Sequence, residues 1–288
     1  MSSHPPDLKA LRRSLDEIDN RLQDLLIDRT AMIARVAASK RGSDQPAFQP
    51  AREAEIVRRL VARHHGALPV ATLVRMWREM LAATVRLQSP FSVAVFAPGG
   101  RQGYWDLARD HYGSHTPMTP FDAENQVLRA VAQKESSVGV LPTPEPSEAD
   151  PWWPQLVSEA EDAPRVIARL PFGASGNGRN PGAEALVIGW GEQQASGLDR
   201  TLFAMECSPE VSRAGIVERL AAAGLACTLF VSCDSGAAVH LLELDGFVSR
   251  TDARLTEFRA QLDKTFKRLL PLGGYAVPLP ASAFSARN

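Results

Sequence analysis

From Leu8 onward, apolar residues recur in alternating steps of three and four: Leu11, Leu15, Ile18, Leu22 and Leu25, then Met32 and Val36. The step between Leu25 and Met32 is filled by Arg29. This spacing predicts one long amphipathic helix over about 7–41, with a heptad-like stripe. A helix of about 35 residues is ~52 Å long, too long to cover its stripe against the two shorter helices that follow. The expectation is that it pairs with a second copy of itself. Gly42-Ser43-Asp44-Gln45-Pro46 breaks this helix. A second helix starts near Pro50, a residue suited to a first turn, runs through AREAEIVRRLVARHH and stops at Gly66. A third extends from about Pro69 to Gln88 with Val70, Leu73, Trp77, Leu81, Thr84 and Gln88 on one broad face; Ser89-Pro90 ends it.

The pattern changes at residue 91. FSVAVFAP, SVGVLP and ALVIGW read as buried strands, and DLARDHYG and VLRAVAQ as helices. Their alternation points to a parallel α/β unit. Loops are expected at 143–151 and 173–182. From about 200 the order is strand TLFAMECS, helix EVSRAGIVERLAAAG, strands CTLFVSC and AVHLLELDG, helix ARLTEFRAQLDKTFKRL and a last strand near GGYAVPL. That βαββαβ succession is a ferredoxin-like order. A chain of 288 residues is long for one core. The expected fold class is therefore multidomain: an all-α unit over 1–90, an α/β unit over 91–197 and a ferredoxin-like α+β unit over 198–288.

Composition removes several function classes. No apolar run approaches the ~20 residues of a membrane span, and MSSHPPDLKALRRSLDE has no apolar signal core. The three cysteines and six histidines show no metal-ligand or redox spacing, so neither metal nor cofactor is expected, and a cytoplasmic location is. Net charge is −1, but residues 1–90 carry 15 Lys/Arg against 10 Asp/Glu and the remainder is acidic. A mildly basic helical unit suits a small anionic ligand and is a poor footprint for nucleic acid. The loop GASGNGRNPG lacks the Lys-Ser/Thr of a phosphate-binding loop and reads as a connector. His64-His65 closes the second helix, where positive charge suits the dipole, and Trp152-Trp153 reads as a buried anchor.

The polar residues on apolar faces change the picture most. Arg29 and Lys40 are three helical turns apart and share a face. Thr84 and Gln88 lie at i and i+4 on the inner face of the third helix, and Arg52 is in register with Ile56 and Leu60. A buried unpaired cation is costly. Internal ion pairs, side chains reaching out to water or a register device would each explain one such residue. Taken together, the set favours a pocket for an anion inside the helical bundle.

The same residues resemble the all-helical (AroQ-type) chorismate mutases over about 7–90, through LRRSLDEID at 11–19, LLIDR at 25–29, KR at 40–41, ARE at 51–53 and TVRLQ at 84–88. The resemblance implies an intertwined helical homodimer that takes chorismate. Arg12 would be donated to the partner's site and Arg29 would hold a carboxylate. Lys40 would contact the ether oxygen and a carboxylate. Arg52 and Glu53 would face the substrate hydroxyl, and Gln88 the ether oxygen. Thr84 stands where many members have serine, and Gln49 stands where an acid is common. Residues 91–197 resemble a degenerate prephenate dehydratase, since VAVFAPGGRQGYWDLA matches that family's opening while its Thr-Arg-Phe motif is absent. Residues 198–288 resemble an ACT regulatory domain without its effector motifs. The resemblance thus implies a chorismate mutase without cofactor. The alternatives are a bifunctional mutase–dehydratase, a non-catalytic dicarboxylate-binding regulator, and an isochorismate-pyruvate lyase.

Overall fold

The structure, a computed structural model, describes residues 7–39, 47–100, 103–146, 148–160, 162–176, 178–180, 182–208, 210–233, 239–262 and 266–285. It forms two compact units. One comprises residues 1–47 with 84–90, the other residues 48–83 with 91–288.

The first unit is dominated by α1 (Leu8–Ser39). Strong helix formers fill it, and neither Gly nor Pro occurs inside. At its start, Asp7 Oδ1 accepts a hydrogen bond from the Lys9 amide at 3.1 Å, which occupies an amide that no helical carbonyl can reach. At 32 residues it is about 48 Å long; Lys40 and Arg41 lie outside the described residues. No residue of α1 is buried. The whole stripe (Leu8, Leu11, Leu15, Ile18, Leu22, Leu25, Met32 and Val36) is exposed, by 39% to 63%. Each such side chain thus forgoes part of the ~1.5–3 kcal/mol that full burial provides.

In the second unit, α2 (Pro50–Arg63) begins at proline as expected and ends three residues before Gly66, and most of α3 (Val70–Gln88) accompanies it. Their shared apolar face, Ala54, Val57, Val61, Val74 and Leu81, closes on Phe172, with Leu279 and Phe284 packed against it. Arg58 clamps α2 in place. Its guanidinium donates to the carbonyls of Ser196 at 3.0 Å, Leu198 at 2.8 Å and Val277 at 2.7 Å.

The rest of this unit is one mixed sheet of nine strands, with helices α4 (Gly103–Tyr112), α5 (Glu124–Ala132), α6 (Arg213–Ala222) and α7 (Ala253–Leu262). The strands are β1 (Val93–Phe96), β2 (Met118–Phe121), β3 (Val138–Pro142), β4 (Arg165–Leu170), β5 (Ala185–Gly189), β6 (Asp199–Cys207), β7 (Cys227–Cys233), β8 (Val239–Asp245) and β9 (Phe266–Ala276). They lie in the order β2-β1-β3-β5-β4-β9-β6-β8-β7. β1 is parallel to β2 and β3, but β5 runs antiparallel to both β3 and β4, so the first half is mixed rather than wholly parallel. The second half, β9-β6-β8-β7, is antiparallel throughout and has the ferredoxin-like order read from the sequence.

One pairing, Val166 with Gly273, joins the halves. Gly273 has φ +104, and a Cβ there would sit 2.2 Å from the Val166 carbonyl oxygen. Only glycine permits both the backbone conformation and the approach. The largest core spans this seam and includes Trp152, Trp153, Leu141, Ile188, Leu202 and Tyr275. Trp152 and Trp153 are buried, as expected of an anchor, and Trp152 Nε1 donates to the Pro142 carbonyl at 2.9 Å. A second core gathers Phe203, Ile216, Phe230, Leu255 and Phe258 between β6–β8 and the helices α6 and α7.

Two strands have no clear sequence signal. β2 (MTPF) is a half-exposed edge strand containing proline, and β4 (RVIARL) carries arginines that interrupt its apolar run. A third difference lies at the last helix, which stops at Leu262. The FKRLL that follows is strand, not helix. Pairing along nearly the whole of β6 overrides the helical preference of Lys, Arg and Leu.

Candidate active site

In the first unit α1 carries Arg12 and Arg29. Arg12 is exposed. Arg29 is half-buried, as are Ile33 and Ala37 one and two turns further on, so a single face of α1 is the more sheltered one. Burial lowers the pKa of the Arg29 guanidinium. An arginine keeps its proton through such a shift, so the site retains a cation held partly out of water. Such a cation interacts more strongly with an anion than one in bulk solvent.

The end of α3 belongs to the same unit. Thr84 is buried, and Gln88 Nε2 donates to the Thr84 carbonyl at 3.0 Å. That bond orients the Gln88 amide and uses one of its two N–H groups, leaving the other available to an acceptor. Lys40 lies outside the described residues.

In the second unit, Gln49 is half-buried immediately before α2 and makes no side-chain cap bond. Arg52 is exposed and paired with Glu55 at 2.7 Å. Glu53 is 9% exposed and meets Arg78 at 3.0 Å, and Arg78 itself is 4% exposed. The Arg78 guanidinium also lies over the Phe172 ring, 4.7 Å from its centroid. Burial pushes the Glu53 carboxyl up to about 7 against the opposing pull of Arg78. Burial likewise lowers Arg78, and it drives His111, beside Arg78, well below the usual histidine range. Among the described residues, Arg78 Nε and the buried Tyr112 hydroxyl have no hydrogen-bond partner.

Arg78 is the charged residue that sequence reasoning missed. Its signal was present: it falls between Val74, Leu81 and Val85 on the buried face of α3, an interruption of the same kind as Arg29 in α1.

Among the described residues, no group of three or more His, Cys, Asp or Glu side chains could hold a metal ion. No described helix is long and apolar enough to cross a membrane.

Residues 11–89 match the family described as chorismate mutase type II. The bifunctional chorismate mutase/prephenate dehydratase of Pseudomonas aeruginosa is 31% identical over 146 residues, 49% of this chain and 40% of that protein. Its namesake from Stutzerimonas stutzeri is 29% identical over 151 residues, 51% of this chain and 41% of that protein. The aligned part of the chain thus spans about two fifths of the length of these curated relatives. Among solved structures, the prephenate dehydratase of Arthrobacter aurescens superposes with TM-score 0.47 at 14% identity, covering 66% of this chain and 92% of that one. Residues 11–89, which include α1 and its arginines, are thus similar to the type II chorismate mutases, and a large mixed-sheet region follows them in the chain.

Proposed function

We propose that this chain rearranges chorismate to prephenate in aromatic amino acid biosynthesis, as a cytoplasmic homodimer built on α1. The observation that carries the reading is that residues 11–89 match the type II chorismate mutases while placing Arg12 and Arg29 on a helix whose apolar stripe stands in water. Covering eight such positions with a second surface would take their apolar area out of water and stabilise the helix. The same helix from another copy has the matching period.

The rearrangement is pericyclic and needs no nucleophile, metal or proton shuttle. It needs the dicarboxylate held in a compact reactive conformer, and donors placed where negative charge grows on the breaking ether oxygen. Arg29, with Arg12 of the second copy, holds carboxylates. Lys40 and the free N–H of Gln88 face the ether oxygen and supply the part of the interaction that grows in the transition state. A millionfold acceleration requires ~8 kcal/mol. One cation at ~4 Å with an effective dielectric of ~20 interacts by about 4 kcal/mol before desolvation, so two or three fixed donors are of the right size.

Steady-state kinetics on variants test these assignments. Lys40→Ala lowers kcat by about a hundredfold or more, whereas Arg29→Ala raises KM as well as lowering kcat. Near-wild-type kcat in purified Lys40→Ala contradicts the assignment. The curated relatives' names favour a second reading, in which the mixed-sheet region also dehydrates prephenate. Phenylpyruvate formed from added prephenate, in proportion to enzyme, would establish it.

A further inference from the structure

A cleft of about 260 Å³ opens in the second unit, where the end of β5, the loop after β8 and β9 come together. Arg165 lines it and is itself 6% exposed. A guanidinium has five N–H groups. Nη1 of Arg165 donates to the carbonyls of Pro271 at 2.7 Å and Ser158 at 3.5 Å, and Nη2 donates to that of Ala160 at 2.8 Å. These three bonds fix the group and account for three of its five N–H groups.

On the rim, Arg250 and Glu192 make no hydrogen bond or ion pair among the described residues. Burial lowers the pKa of Arg165, and the nearby positive charge of Arg250 lowers it further, with Glu192 opposing. Two cations thus share the space with one acid, and neither is paired with it. Phe247 and Pro271 add apolar surface to the lining, and Phe247 is 38% exposed. The loop bearing these residues is held from below. Thr201 Oγ1 donates to the Gly246 carbonyl at 2.9 Å and accepts from the Val248 amide at 3.0 Å.

We propose that this cleft binds a small carboxylate with an apolar body, the carboxylate meeting Arg165 and Arg250 and the body lying against Phe247 and Pro271. A planar carboxylate matches the paired donors of a guanidinium. The apolar wall adds affinity only for a ligand that carries carbon beyond its head group. This site is separate from the helical one and does not rest on the proposed mutase activity.

Isothermal titration of the full-length protein with benzoate, acetate and inorganic phosphate tests the proposal. Benzoate binds saturably and about tenfold more tightly than acetate or phosphate. Arg250→Glu weakens benzoate binding by about tenfold or more, and Glu192→Gln strengthens it a few-fold, as expected for removing a like charge. Neither changes the melting temperature or the rate of chorismate consumption. These two rim variants are chosen because substituting Arg165 would release three backbone carbonyls and disturb folding. Three results overturn the proposal: no saturable benzoate binding at millimolar concentration, phosphate binding better than benzoate, or benzoate binding that Arg250→Glu leaves intact.

Discussion

Burial acts on single charged residues here in two opposed ways. Arg29 stays charged in a half-sheltered place, and that makes it useful to an anion. Glu53 is enclosed so fully that burial pushes its carboxyl up to about 7 even beside Arg78. Folding therefore favours the protonated form of Glu53. Its contribution to stability is fully present below the ordinary glutamate pKa of about 4.5 and is lost as pH rises through about 7. Glu53→Gln removes that titration. The stability advantage of wild type over Glu53→Gln should shrink as pH rises from about 4.5 to above 7, read by denaturant unfolding at each pH. An advantage that grows over that interval would mean that Arg78, not burial, governs Glu53. His111 acts in the other direction. Its neutral form is the one the fold accepts beside Arg78, so acidification below the usual histidine range costs stability.

The elements were legible where local pattern and tertiary demand agree. The stripe from Leu8 to Val36, Pro50 at the start of α2 and the βαββαβ succession after 198 are all in the structure. Missing from the sequence reading are β2, where Pro120 breaks the strand signal; β4, where Arg165 and Arg169 interrupt an apolar run; and the start of β9, where pairing with β6 overrides helical preference. The candidate site was legible only as charges in apolar stripes. That logic found Arg29 but passed over Arg78, because Trp77 and Leu81 suggest a slightly rotated face of α3. A glycine's close approach is invisible to periodicity altogether. Gly273→Ala should cost at least about 1–3 kcal/mol, since a methyl group there meets the Val166 carbonyl, and a drop in melting temperature measures it. An unchanged melting temperature would mean that the seam between the two half-sheets is not as close as described.

For the whole molecule, the proposed function makes turnover depend on a second copy covering the exposed stripe of α1. Replacing Leu15 and Leu22 together by Asp should convert the protein to monomers in sedimentation analysis and abolish turnover, while leaving the mixed-sheet unit folded by circular dichroism. Full turnover by a monomer would refute the shared site. The helical unit carries Arg12 and Arg29 on α1, and the mixed-sheet unit has a cleft lined by Arg165 and Arg250. The most direct measurement follows chorismate by proton NMR in the presence of the purified full-length chain. Chorismate should disappear with prephenate formed in equal amount, without added metal or cofactor and without release of pyruvate. Chorismate left unconsumed, or consumed with pyruvate as product, would contradict the proposed function.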